Sequence, residues 1–274
     1  MKKYLSTIIL ILVFVTGLSL LLYPTVSDYW NSFHQSRAIA TYAGEVAALN
    51  NDDYDELWAA AQAYNQRLAQ RGNPLLQSEE DLAEYETLLN IAGSGVMGYI
   101  EIPELKVSLP VYHGVDEGVL QIAVGHIPGT SLPTGGEGTH CVLSGHRGLP
   151  SAKLFTNLDQ LREGDIFMLR VLDETLTYEV DQILIVEPDQ VEALAIDPDR
   201  DDCTLVTCTP YGINTHRLLV RGHRIENQAV AQTVRVTADA MQIEPVIVAP
   251  VVAAPMLLCL MLWVLLRNPK KKKR

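Results

Sequence analysis

The sequence predicts a mainly β protein, a closed barrel or sandwich of short strands, with a helical extension before it and an apolar helix at each end of the chain. Three observations carry this expectation. From Gly93 to about Arg224, short β-branched runs alternate with Gly and Pro turns roughly every ten residues and without long helices between them. From Asp28 to Asn90, apolar residues recur at spacings of three and four. Two further runs, Tyr4–Tyr23 and Pro245–Leu266, carry no charge at all.

Each uncharged run is long enough to cross a hydrocarbon core as a helix of about 20 residues. Residues 1–24 form the first segment and 245–266 the second, with a basic tail at 267–274. Lys2 and Lys3 precede the first run, and Arg267, Lys270 to Lys273 and Arg274 follow the second. This distribution places both termini in the cytoplasm and everything between the runs outside. A cleaved signal peptide has the same basic start and apolar run. Gly17 and Ser19 inside the run, and the lack of a small-x-small site after it, favour an anchor.

Residues 25–92 read as a helical stalk in three parts: 28–50, 52–72 and 78–90. Ser78 followed by Asp81 resembles a capping signal, and Gly72-Asn73-Pro74 is a stop. Residues 93–226 hold the strands, among them THCVLSGH, DIFMLRVL, TLTYEVDQILIVE, CTLVTC and HRLLVRGHRI. SAKLFTNLDQL reads as a short helical pattern, and residues 227–244 link the β region to the second apolar run.

Charge narrows the function. All 33 acidic residues lie between Asp28 and Glu244, where only 13 basic residues accompany them, a net of about −20. Such a surface repels nucleic acid, which binds through clustered Lys and Arg. The terminal KKKKR is a topology signal or a lipid-headgroup contact, so a membrane is the expected partner at that end.

Cys259 lies inside the second apolar run, which leaves Cys141, Cys203 and Cys208 for the exterior. An odd number outside leaves at least one free thiol. No CxxC spacing points to structural zinc, and neither a metal nor a cofactor is expected. In CTLVTCTPYGINTHRLLVRGHR, Cys208 ends one strand, a Pro-Gly-Asn turn follows, and a second strand starts near His216. If the two strands are neighbours, Arg217 comes beside Cys208, where a fixed cation stabilises a thiolate or an oxyanion. Cys203, an odd number of residues away, points to the opposite face, and Cys141 sits in a mixed strand; both read as structural. A thiol enzyme needs an acid–base group near neutral pH. His146, in the Gly-flanked LSGHRG where a strand passes into a loop, is the best placed of the seven histidines, and His113, in VYHGV with a similar strand-end setting, is the runner-up; the residues alone leave both open.

SGHRG, TLVTCTP and HRLLVRG together resemble the sortases, cysteine transpeptidases of Gram-positive cell surfaces. The longer stretches GYIEIP, LPVYHG, GHIPGTSLPTGGEGTHCVLSGHRGLPSAKLF and CTLVTCTPYGINTHRLLVRG resemble the class C, pilin-polymerising group over about residues 93–226. The resemblance implies a closed sortase β-barrel, with Cys208 as nucleophile, His146 as general acid and base, Arg217 as oxyanion or substrate clamp, and Thr207 in the substrate and oxyanion site. It makes His113 structural. Implied partners are pilin subunits carrying an LPxTG-like sorting signal and a nucleophilic Lys; housekeeping attachment of surface proteins to the cell wall is the alternative. The Asp-Pro-aromatic lid motif of many class C members is absent, so no lid is assigned.

Overall fold

The computed structural model describes residues 2–71, 75–91 and 93–227. The second apolar run, the linker from 228 onward, the basic tail and the Gly72-Asn73-Pro74 stop lie outside the described residues.

Helix α1 spans Lys2–Ala48 and contains Pro24. The first apolar segment and the first stalk helix, distinct in composition, are therefore one element. Only Pro24 separates them, and it removes one helical hydrogen bond without ending the helix. The N-terminal part of α1 is apolar and long enough to cross a membrane. The compact body of the chain starts at Asp28.

Helices α2 (Asn51–Ala69) and α3 (Glu79–Thr87) begin where their capping residues stand. Asn50 accepts a hydrogen bond from the Asp53 amide, and Ser78 with Asp81 forms the expected capping box. Ala61, Tyr64 and Leu68 of α2 and Tyr85 of α3 join the barrel core.

The strands are β1 (Val96–Ile102), β2 (Val107–His113), β3 (Val124–His126), β4 (Thr139–Ser144), β5 (Ile166–Val171), β6 (Glu174–Val186), β7 (Asp201–Thr209) and β8 (His216–Ile225). They close in the order β1-β2-β3-β4-β7-β8-β6-β5, so the barrel expectation holds and the sandwich one does not. Every strand read from the sequence is present. The three-residue β3 shows too little alternation to be read, and SAKLFTNLDQL forms turns and one turn of 3-10 helix at Leu158–Gln160. Most neighbours are antiparallel, but β2–β3 and β4–β7 run parallel.

Alternate residues fill the interior with Ile100, Leu109, Val124, Leu143, Phe167, Leu169, Tyr178, Leu205 and Val220. Polar tethers fasten the helices to this core. The Tyr42 hydroxyl donates to Met97 O and accepts from Leu172 N. Asn65 is buried, donates to Leu132 O and Thr134 Oγ1, and accepts from Leu132 N at 2.7 Å. Asn65→Leu leaves the buried Leu132 amide without a partner and takes one of two partners from Leu132 O and from Thr134 Oγ1, and is expected to cost about 1–3 kcal/mol, read from the denaturant midpoint at unchanged m-value.

The half-buried His113 and the buried His140 make stability fall in acid. His113 bonds the carbonyls of Gly95 and Leu88; His140 bonds Ala195 O and Thr204 Oγ1. Burial lowers the pKa of each, opposed by those backbone bonds. A histidine whose folded pKa is depressed takes up its proton more readily when unfolded. Stability is therefore full above the unfolded value of about 6.5 and declines as pH drops below it, by up to about 1.4 kcal/mol per pH unit per histidine. Urea midpoints measured between pH 7.5 and 5 are expected to show this decline, and His140→Gln to reduce its slope.

Candidate active site

Strand β7 is buried along nearly its whole length because both of its faces are covered. Cys203 and Leu205 point into the barrel. Thr207 is on the same side, and its hydroxyl donates to Gly145 O at 2.7 Å. Val206, on the opposite face, packs with Val142 and Leu219, joined by Ile127, Leu184, Val186, Ala193 and Leu194. These residues make an apolar floor on the outside of the barrel. Cys208, two residues beyond Val206, ends that outward row and is half-buried, unlike the fully buried Cys141 and Cys203.

Arg217 is the direct cross-strand partner of Cys208 in the antiparallel β7–β8 pair. Its guanidinium donates to the carbonyls of Asn214 and His216, which fix it at the mouth of the β7–β8 turn. The neighbouring outward positions, Leu219 opposite Val206 and Arg221 opposite Thr204, continue the same face. The two strands are therefore neighbours, as the expected placement of Arg217 required.

His146 arrives from the other side. Strands β4 and β7 run parallel in register from Thr139 opposite Asp201 to Ser144 opposite Val206. The Gly145 amide donates to Val206 O at 3.0 Å and prolongs the ladder by one step. His146 thus leaves β4 at the level where Cys208 leaves β7. His113 lies at the end of β2, bonded to backbone on both ring nitrogens, and His126 is fully buried and bonded to the Tyr85 hydroxyl and Ser131 O. Among the described residues, no group of three or more His, Cys, Asp and Glu side chains is placed to hold a metal ion.

The loop that carries His146 is held by contacts the sequence does not announce. Arg147 is nearly buried, pairs with Asp159, and lies 5.7 Å from the ring centre of Tyr211 in the β7–β8 turn. Gly148 has φ +75°, and a Cβ there would meet the Tyr211 ring at 3.0 Å. A Cβ on Gly145 would sit 2.7 Å from the Phe155 ring. Both glycines flanking His146-Arg147 are thus required by close approach of an aromatic ring. Only the placing of Arg147 beside His146 in SGHRG could have drawn attention to it; nothing singles out Asp159 or Tyr211 until the fold brings them there.

Half-exposed thiol, adjacent guanidinium and neighbouring imidazole make a constellation suited to nucleophilic acyl transfer. The family model of the sortase domain matches residues 100–225. Among solved structures, the chain is similar to sortase C1 of Streptococcus agalactiae, with 48% identity, a TM-score of 0.69, and coverage of 70% of this chain and 100% of the other. The chain belongs to the sortase family. This is a family of cysteine transpeptidases, and the sortases with solved structures similar to this one include several of class C. Sortase C-1 of Streptococcus pneumoniae, as a mutant, matches at 47% identity and TM-score 0.63, covering 70% of this chain and 99% of that one. Among curated sortases, Sortase D of Bacillus subtilis is 30% identical over 131 residues, 47% of this chain and 63% of that protein. Sortase A of Streptococcus agalactiae is 31% identical over 117 residues, 42% of this chain and 47% of that one. The chain therefore spans less than two thirds of these two relatives.

Gly145→Ala forces either Phe155 or the His146 loop to move. It is expected to cost about 1–3 kcal/mol in stability and to lower acyl transfer roughly 100-fold, because a shift near 1 Å at a reacting group has that effect. Denaturant unfolding and single-turnover acylation, measured on the same preparation, check the two parts separately.

Proposed function

We propose that this sortase is a pilin polymerase whose catalytic residues are Cys208, His146 and Arg217, with Thr207 shaping the site behind the nucleophile. The observation that carries this reading is the register that sets Cys208 opposite Arg217 on one side and level with His146 on the other. Its class C neighbours support the choice of acceptor; one of them, sortase C of Streptococcus pneumoniae, is described in terms of pilin substrate specificity, at 43% identity.

The Cys208 thiolate attacks the Thr carbonyl carbon of a Thr–Gly bond in an LPxTG-like signal. Arg217 donates to the oxyanion, and the C–N bond breaks as His146 gives its proton to the departing Gly amine. The resulting thioester is attacked by the Lys ε-amine of the next pilin. His146 takes that proton, Cys208 leaves as thiolate, and an isopeptide bond remains. The half-buried Ile127, Leu184, Val186, Ala193 and Leu194, packed over the buried Val142, Val206 and Leu219, suit the Leu and Pro side chains of the signal. Residues 1–24 and 245–266 span the membrane in this reading, with both termini cytoplasmic and the barrel outside.

The full chain in detergent, incubated with an LPxTG peptide and a Lys-bearing pilin domain, is expected to show a thioacyl adduct by intact mass and an isopeptide-linked product. Cys208→Ala should abolish both. Arg217→Lys, which keeps the charge but loses the fork, should lower acylation by about 10²–10³-fold with little change in stability. An adduct that is resolved only by water or by a cell-wall amine, with every pilin Lys inert, would replace polymerisation by housekeeping attachment.

A further inference from the structure

Cys141 and Cys203 take no part in the reaction above, yet they are direct partners in the β4–β7 ladder. Both belong to the interior core, at 3% and 0% exposure. Directly opposed residues on neighbouring strands have Cα atoms roughly 4.8 Å apart, inside the range of about 4.4–6.8 Å that disulfides span. Their side chains share the inward face of the barrel. Of the three cysteines outside the apolar runs, two therefore face one another and Cys208 faces away.

We infer that Cys141 and Cys203 form an intramolecular disulfide in the exported protein, which staples β4 to β7 and leaves Cys208 as the single free thiol of the barrel. The bond would sit five residues before His146 on one strand and five before Cys208 on the other. It would thus lock the register that sets those two side chains level. Closing it joins chain positions that β5 and β6 separate, so it also removes freedom from the unfolded chain.

The step is an ordinary thiol–disulfide exchange with an external disulfide, either that of an exported oxidoreductase or a small molecule such as cystine. One thiolate attacks a sulfur of that disulfide and expels its partner as a thiolate, giving a mixed disulfide. The second cysteine then attacks the protein-side sulfur, loses its proton, and releases the second thiol. Two protein thiols are oxidised and one external disulfide is reduced to two thiols. Burial weakens the thiolate of each cysteine, and Cys203 is pushed up. With both sulfurs inside the closed barrel, the exchange takes place as the chain folds after export.

The inference rests on the exported topology proposed above, and its test reads the thiols independently of activity. The full chain is extracted from membranes under acid quench, alkylated in denaturant with and without prior reduction, and weighed. Without reductant the expected result is alkylation at Cys208 and Cys259 only, a mass about 2 Da below the reduced form before alkylation, and a peptide map joining Cys141 to Cys203. Alkylation of all four cysteines without reductant overturns the inference, as does a bridge that includes Cys208. Reductant is expected to lower Tm by roughly 5–10 °C in the wild type and not in a Cys141→Ala, Cys203→Ala variant. An equal Tm with and without reductant also overturns it. A bridged protein that forms no thioacyl adduct would instead count against the transpeptidase reading alone, and the double variant is expected to keep the adduct.

Discussion

The parallel pairing of β4 with β7 is the constraint on which the rest depends. Parallel neighbours cannot be joined by a tight turn, so the chain must leave β4, build β5 and β6 elsewhere, and return. The barrel order shows where those strands go: β6 comes back on the far side of β8, and β5 closes against β1. Residues 62 positions apart, His146 and Cys208, thereby leave adjacent strands at one level. Any change that shifts this register moves the imidazole away from the thiol before it alters either group chemically.

The outward face of that pair is secured by charge as well as by packing. Arg200 pairs with Asp181 and Asp202, and Arg221 shares Asp181, which links β6, β7 and β8 beside His140. An isolated surface pair contributes little, whereas a network of partly buried, multiply bonded groups holds geometry. Burial disfavours the Asp181 carboxylate, but the two guanidiniums outweigh it and keep its pKa below the usual range. Where β1 pairs with β5, Arg170 paired with the buried Glu101 does the same for those two strands.

Much of this was legible from residues alone, and the boundary of legibility is physical. Short β-branched runs bounded by turn residues located β4 to β8, because each is long enough to be set off by the turns on either side. The same pattern could not reveal β3, whose three residues are all buried. Parity along CTLVTC correctly separated Cys208 from Cys203. Cys208 and Arg217 were recognisable as neighbours because only a short turn separates their strands. Pattern ranked His146 above His113 without deciding between them, since its level beside Cys208 depends on the non-local β4–β7 pairing; the family resemblance carried the expectation further. Asp159 and Tyr211 remained invisible for the same reason, their contact with Arg147 being set by two loops that meet only in the closed barrel.

The two-sided burial of β7 also bears on how such a chain can change over generations. Because successive side chains point to opposite faces, inserting or deleting one residue between Cys203 and Cys208 would turn the thiol inward and present Thr207 or Thr209 on the outward face instead. Length variation is therefore tolerable only beyond Pro210, in the exposed Tyr211 to Thr215 stretch. A lineage can reshape the lip beside Cys208 by lengthening that turn, while the strand beneath it is confined to substitutions of like size and like side.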